Sequence, residues 1–251
     1  MKLQSKNIFK LGLLALSIAA ISACSDEKEF VEVEVPVDRI VEVEVPAPVP
    51  EPVNFVYQVT VTNMTAAQPL SPVAVVAHES GNLWYVGQAA SVELEQLAEG
   101  GDNSGLLATG GALATAGGAA PIGPGNSETI EITVVDKEDA LLSFATMLVN
   151  TNDAFAGLDA YNLGSLSEAG MSWTTVLPTL DAGTEMNNEA AGTIPGPADG
   201  GEGYNPTRSG RGIVYFHQGA VTSDDGLDSS VLTAAHKFDN PSVRVTVTRM
   251  Q

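Results

Sequence analysis

Three stretches of the chain alternate apolar and polar residues with the period of a β-strand. Phe55-Val-Tyr-Gln-Val-Thr-Val-Thr62 places Phe55, Tyr57, Val59 and Val61 on one face. Glu128–Val135 does the same with Ile130, Ile132 and Val134, and Ser242–Arg249 with Val243, Val245 and Val247. Other stretches are mainly apolar: Val73–Ala77, Ala140–Val149, Trp173–Leu180 and Ile213–His217. Runs of that length between polar turns predict strands buried on both faces. Gln88–Glu99 alone has helix-forming composition; Ala89, Val92 and Leu97 offer a buried stripe, and Gly100 and Gly101 a stop. The pattern predicts an all-β fold, an antiparallel β-sandwich with Greek-key-like connections and one short helix. The Gly/Ala-rich stretch 101–125 and the Gly/Pro-rich stretch 192–211 read as long loops.

The first 54 residues follow another pattern. Lys2, Lys6 and Lys10 precede an apolar run from Leu11 to Ile21, too short to span a bilayer and right for a bacterial export signal. Ile21-Ser22-Ala23-Cys24 then resembles the lipobox of bacterial lipoproteins. That resemblance implies cleavage before Cys24, acylation of its thiol and a place in the cell envelope, with Ser25 favouring the outer membrane. Cys24 is the single cysteine, so no intrachain disulfide exists. Residues 24–54 carry the repeat Val31-Glu-Val-Glu-Val-Pro36 and Val41-Glu-Val-Glu-Val-Pro46, then Pro48, Pro50 and Pro52. Recurring prolines interrupt a strand ladder and favour extended chain, so the segment reads as a stiff, charged spacer. The expected organisation is a signal peptide over 1–23, a lipidated tether over 24–54 and a folded domain over 55–251.

Charge narrows the partners. The 251 residues include 31 acidic and 11 basic side chains, a formal charge of −20. Loss of residues 1–23 would leave 8 basic side chains against the same acids, or −23. Such a surface repels nucleic acid and anionic lipid alike. It suits surroundings rich in salt or divalent cations.

The acids gather in turns. Asn150–Asp153 follows one apolar run, and Asp181-Ala-Gly-Thr-Glu185 follows another. If those runs lie side by side, Asp153, Asp181 and Glu185 converge at one end of a sheet. Converging carboxylates need solvent, a proton or a cation, and oxygen-rich loops are what calcium uses. Spacing alone favours the plainer alternative of solvated turn carboxylates. Asp159 and Glu189 read as surface or supporting groups, with Asn150 and Asn152 as sources of carbonyl oxygen. The histidines His78, His217 and His236 lack the spacing of a zinc site. No GxSxG elbow and no GxxxxGK[ST] phosphate loop occurs, and aromatics are few.

The chain also resembles a known family, the spondin N-terminal domain. The resemblance lies in Leu142-Ser-Phe-Ala-Thr-Met-Leu-Val149, Asn152-Asp-Ala-Phe-Ala-Gly-Leu-Asp159 with Asn162-Leu163, and Asp181-Ala-Gly-Thr-Glu185. Ser71–His78 and Val243–Arg249 look like an early and the closing family strand. The resemblance implies a β-sandwich akin to membrane-targeting calcium domains. It also implies a calcium ion held by three acids in two loops, here Asp153, Asp181 and Glu185. Glu185 stands where animal members tend to have Asp, Ala154 where they have Trp and Asn152 where they have Pro. The implied affinity is that of extracellular calcium modules, about 10⁻⁴–10⁻³ M.

The expected function is that of an envelope-anchored binding or adhesion module, with matrix, glycan or another envelope protein as partner and no catalytic residues. The alternatives are a hydrolase using the acidic cluster and a purely structural envelope protein.

Overall fold

β1 (Asn54–Asn63) is an inner strand of the first of two sheets in the computed structural model, which describes residues 50–251. The expectations for the export signal, Cys24 and the Val/Glu repeats fall outside that range. β1 pairs antiparallel with β4 (Ser127–Val135) on one side and β10 (Val243–Arg249) on the other. β7 (Ser172–Leu177) lies beyond β10, for the order β4-β1-β10-β7. The alternation read from sequence fixes the faces. Tyr57, Val59, Val61, Ile132, Val134, Val243, Val245 and Val247 all turn inward and are buried. Fully burying each valine stabilises the fold by roughly 1.5–3 kcal/mol. On the other face hydroxyls pair across strands, Thr60 with Thr129 at 2.8 Å and Thr174 with Thr246 at 2.9 Å.

The second sheet has six strands. In spatial order these are β3 (Ala112–Gly117), β2 (Ala74–His78), β5 (Leu141–Met147), β6 (Ala154–Asn162), β8 (Thr179–Asp181) and β9 (Tyr215–Phe216). Val75, Ala77, Leu142, Phe144 and Ala156 face the first sheet and complete the main core. Ala74, Ala145, Phe155 and Leu180 face the other way, into a second apolar cluster with Trp84, Leu94, Leu97 and Ala98. Helix α1 (Val92–Gly100) supplies three of these, which is why β2 and β5 are apolar on both faces. Ser91 caps α1 by accepting the Leu94 N–H at 3.2 Å, and Gly101, at φ +68°, ends it in the left-handed region.

The sandwich agrees with the sequence reading, but several elements do not. In α1 the buried stripe is Leu94, Leu97 and Ala98; Ala89 lies before the helix and Val92 is exposed. The stretch 101–125 is not simply a loop: it holds α2 (Ser104–Leu107) and β3. Alanine and glycine have weak strand propensity, and pairing with β2 overrides it. Trp173–Leu180 is not one strand either. Pro178 breaks it, leaving β7 in the first sheet and β8 in the second. Trp173 is half-buried and stacks on Tyr161 with ring centres 4.1 Å apart. Residues 154–159, which the alternation and apolar runs did not mark as a strand, belong to β6, which separates β5 from β8. The 213–217 run yields only the two residues of β9.

Candidate metal centre

Two acidic positions meet because β6 and β8 are neighbours. Ala154 is in register with Asp181, so Asp153, just before β6, lies beside the end of β8. The turn before β6 is tied by Thr151, whose hydroxyl donates to the Leu148 carbonyl at 2.6 Å and accepts the Ala154 N–H at 3.1 Å. The loop after β8 folds over it. Gly183 sits at φ +72°, and a Cβ there would lie 2.1 Å from the Ile213 carbonyl oxygen, so only glycine fits. Its N–H donates to Asp181 Oδ1 at 2.8 Å.

Asp153 joins the two loops. It is fully buried, and its Oδ2 accepts the N–H groups of Thr184 at 2.7 Å and Glu185 at 2.9 Å, with the Thr184 hydroxyl at 3.2 Å. Oδ1 is buried without any partner. Burial, then the neighbouring Asp181, pushes the Asp153 carboxyl up to about 7, against the pull of those three donors. Glu185 is half-buried and also pushed up to about 7, first by burial, then by the charges of Glu99 and Asp153. Asp181 is fully buried, and both its oxygens are in use: Oδ1 by Gly183 and Oδ2 by the Asn187 amide at 2.6 Å. His217 Nε2 lies 4.0 Å from Asp181 Oδ2. Burial holds that imidazole below its ordinary value, with Asp181 opposing. The His217 Nδ1 accepts the Gly219 N–H at 2.9 Å, so a neutral ring carries its hydrogen on Nε2, facing Asp181.

The other sequence candidates divide. Glu189, read as a surface or supporting group, is 3 % exposed; burial pushes its carboxyl up to about 7, and its Oε2 has no partner. Asp159 stays apart from the loops, in the far half of β6, where it accepts from Asn82, Leu83 and Ser143. Asn150 and Asn152 have their side-chain oxygens engaged. The side-chain oxygens accept the Ala198 and Glu189 N–H groups, and the Asn150 main-chain oxygen accepts from Gln68. His78 is held by Ser143 and Ser80, and His236 closes its own short turn by accepting from Thr233.

One acid escaped the sequence reading. Glu99, in the last turn of α1, is 1 % exposed, accepts the Asn205 N–H at 2.8 Å on Oε2 and leaves Oε1 unpartnered. Its signal was present: Glu95 and Glu99 are spaced i, i+4 beside the apolar stripe of the helix. Glu95 is clamped by Arg208 through bonds of 2.9 and 2.7 Å. An open cavity of about 530 Å³ lies alongside, lined by Glu185 and Glu189 and bounded by Arg211, whose guanidinium lies 4.5 Å over the Tyr215 ring.

The model of the spondin N-terminal domain, Spondin_N, matches residues 62–191, over half of the chain. The chain belongs to the spondin N-terminal domain family. The matched span begins within β1 and contains Glu99, Asp153, Asp181, Glu185 and Glu189, and it ends before β9 and β10. The family is one of non-catalytic binding domains, commonly binding or adhesion modules. No curated protein matches the chain.

The donor chemistry fits a hard cation: carboxylate oxygens only, one of them on Asp153 buried and unpartnered, on loops cross-tied by hydrogen bonds. As they stand, no three Asp, Glu, His or Cys side chains among the described residues close around a single point.

Proposed function

We propose that this spondin domain is a calcium-dependent binding module, held at the bacterial outer membrane by a lipid on Cys24 and set off from it by residues 25–54. Asp153, Asp181 and Glu185 hold the ion, and the surrounding loops bind matrix, glycan or another envelope protein. The observation that carries this reading is the state of Asp153. It is fully buried, ties both loops through Oδ2 and leaves Oδ1 without a partner. A buried carboxylate oxygen without a donor destabilises the fold by about 1–3 kcal/mol, so the site favours a proton or a cation there. The ion, when bound, supplies the positive charge that lets the carboxyls ionise inside the protein. Asp153 orients the loops, Glu185 contributes a half-buried carboxylate, and Asp181 holds the loop turn through Gly183.

Thermal melts in calcium and in chelator test the ion. Calcium at 100 times its dissociation constant should add about 2.7 kcal/mol. Asp153→Asn should abolish that gain without lowering the melt in chelator, since the amide relieves repulsion by Asp181. Identical wild-type melts in calcium and chelator would refute the metal. For the anchor, Cys24→Ser should move the protein from the membrane fraction to the soluble fraction of the envelope.

A further inference from the structure

The cavity of about 530 Å³ beside the acidic loops holds a donor and an acceptor that the fold leaves without partners. Arg208 and Arg249 are committed to Glu95 and Glu138. Arg211 lines the cavity and forms no ion pair or side-chain hydrogen bond among the described residues. Its guanidinium instead lies 4.5 Å over the Tyr215 ring, which positions it with its N–H groups free. Glu189 lines the same cavity. Its Oε1 accepts the N–H of Val221, another lining residue, at 3.2 Å, while Oε2 is buried with no partner on a residue 3 % exposed. The backbone holds Glu189 at φ +48°, a conformation uncommon outside glycine. Its N–H is tied there by the Asn152 side chain at 3.3 Å and its carbonyl by the Val231 N–H at 2.8 Å.

The charges of the lining select the guest. Arg211 opposes a cation, and Glu185 and Glu189 oppose an anion. Burial already holds the Glu189 carboxyl up at about 7, so no cationic guest is needed to neutralise it. A neutral guest that both donates and accepts hydrogen bonds avoids both penalties. The Ser209 hydroxyl accepts the Met186 N–H at 3.3 Å and keeps its own hydrogen to donate into the cavity it lines. Met186 and Val221, 57 % and 49 % exposed, add apolar surface suited to the C–H face of a sugar ring. A peptide strand is neutral too, but it needs an open sheet edge. Here β9 has only two residues, and Val214 just before it already exchanges two bonds of 2.7 Å with Gly87 and Gln88.

We infer that this cavity is a sugar site, taking the uncharged end of an oligosaccharide between Arg211 and Glu189. This rests on the reading of the domain as a binding module and names glycan as its partner. Arg211 donates to sugar oxygens, a sugar hydroxyl donates to Glu189, and the ring packs on Met186 and Val221. The volume lies within the range of small-ligand sites, roughly 300–1,000 Å³. Glu185, a calcium ligand in that reading, lines the same cavity, so the ion steadies one wall and should strengthen sugar binding.

The test is calorimetric titration of the purified full-length protein, in calcium and in chelator, with neutral oligosaccharides of glucose, galactose, mannose and N-acetylglucosamine. Glucosamine and galacturonate oligosaccharides and trilysine serve as charged counterparts. At least one neutral oligosaccharide should bind, about tenfold or more tighter than every charged probe. Arg211→Gln removes the guanidinium, and Glu189→Gln turns the free acceptor into a donor. Each should weaken the sugar about tenfold or more and leave calcium uptake unchanged. Arg244→Gln, the same loss of charge on the exposed face of β10, should bind as wild type. If no neutral oligosaccharide binds while wild type takes up calcium, the sugar site falls and the calcium reading stands. If a neutral oligosaccharide binds equally in calcium and chelator and Arg211→Gln weakens it, the sugar site stands and the calcium dependence falls. Binding of charged probes alone, or wild-type sugar affinity in Arg211→Gln, overturns the proposal. Should Glu189→Gln fold poorly, Arg211→Gln decides, because its side chain is exposed.

Discussion

The sheet β4-β1-β10-β7 and the β6–β8 edge of its partner treat polar groups in opposite ways. In the first, valines fill one face, and hydroxyls on the other pair in register at the surface, Thr60 with Thr129 and Thr174 with Thr246. Two groups are exceptions: the buried Tyr57 hydroxyl, neutral at ordinary pH, and Glu128 Oε2 on β4, whose other oxygen accepts the Ala119 N–H. Along the second, Asp153 and Asp181 are fully buried, Glu99 and Glu189 nearly so, and Asp153, Glu99 and Glu189 each keep one oxygen unpartnered. The first region is nearly complete as folded, with a single carboxylate oxygen and one neutral hydroxyl left over. The second has an electrostatic deficit that a proton or cation would fill. Failure of polar satisfaction, concentrated at one edge of an otherwise consistent fold, marks where function lies.

The largest effect should come from truncating the apolar support of that edge. Phe155 directly follows the Asp153–Ala154 turn, is fully buried and meets Trp84 edge-to-face at 5.2 Å. Phe155→Ala should cost about 3–5 kcal/mol and lower the melting temperature by roughly 10 °C or more. It should also weaken the calcium response, since the strand that positions Asp153 loses its packing. Val59→Ala, in the middle of β1, should lower the melt yet leave the calcium response intact. Melts of both variants in calcium and chelator would check the contrast, and equal loss of response in both would erase the distinction between the two regions.

Legibility divides along the same line. The first sheet could be read from sequence because one wet face and one dry face leave strict alternation in Phe55–Thr62, Glu128–Val135 and Ser242–Arg249. The second could be read only in outline. Ala154–Asn162 has neither a long apolar run nor alternation to mark it, and Trp173–Leu180 reads as one apolar run although Pro178 divides it between the two sheets. β3 was hidden because alanine and glycine pair there without strand propensity. Of the site, Asp153, Asp181 and Glu185 were visible as turn acids, and the register Ala154↔Asp181 brings the two loops together. Glu99 and Glu189 were not singled out as buried site groups. Their burial depends on where α1 and the stretch near Val221 pack, and that is decided by the tertiary fold.

A smaller effect should follow pH. Burial raises Asp153, Glu185 and Glu189 to about 7 in the folded protein. An acid raised on folding stabilises below its unfolded value, near 4, and that contribution is lost as pH rises through 7. His217, lowered by burial, works the other way, adding stability as pH rises through its unfolded value of about 6.5. Three acids outweigh one imidazole. In chelator the domain should therefore lose stability between pH 5 and pH 8, seen as a falling melting temperature. Calcium should remove most of that slope, because it takes the place of the protons. Glu189→Gln should remove only the Glu189 share. A flat or rising profile in chelator would show that the buried carboxyls are matched by charges other than protons.

The smallest effect should lie on the outer face of the first sheet, and it completes the comparison. Thr246 pairs with Thr174 at 2.9 Å, both on the solvent side of β10 and β7. Thr246→Val keeps the shape and the β-branching and removes only the hydroxyl. Water can replace the lost partner of Thr174, and valine suits a strand as well as threonine does. The change should stay within about 0.5 kcal/mol. Its melt should rise with calcium as wild type does, since no acid of the second region is touched. The same loss of a hydrogen bond at Thr184, where water is excluded from Asp153, should cost more and should reduce the calcium response. If Thr246→Val instead lowered the melt as much as a buried substitution, the hydroxyl pairs would be part of what holds the sheet. The two regions would then differ in charge alone, and not in their need for a partner from outside.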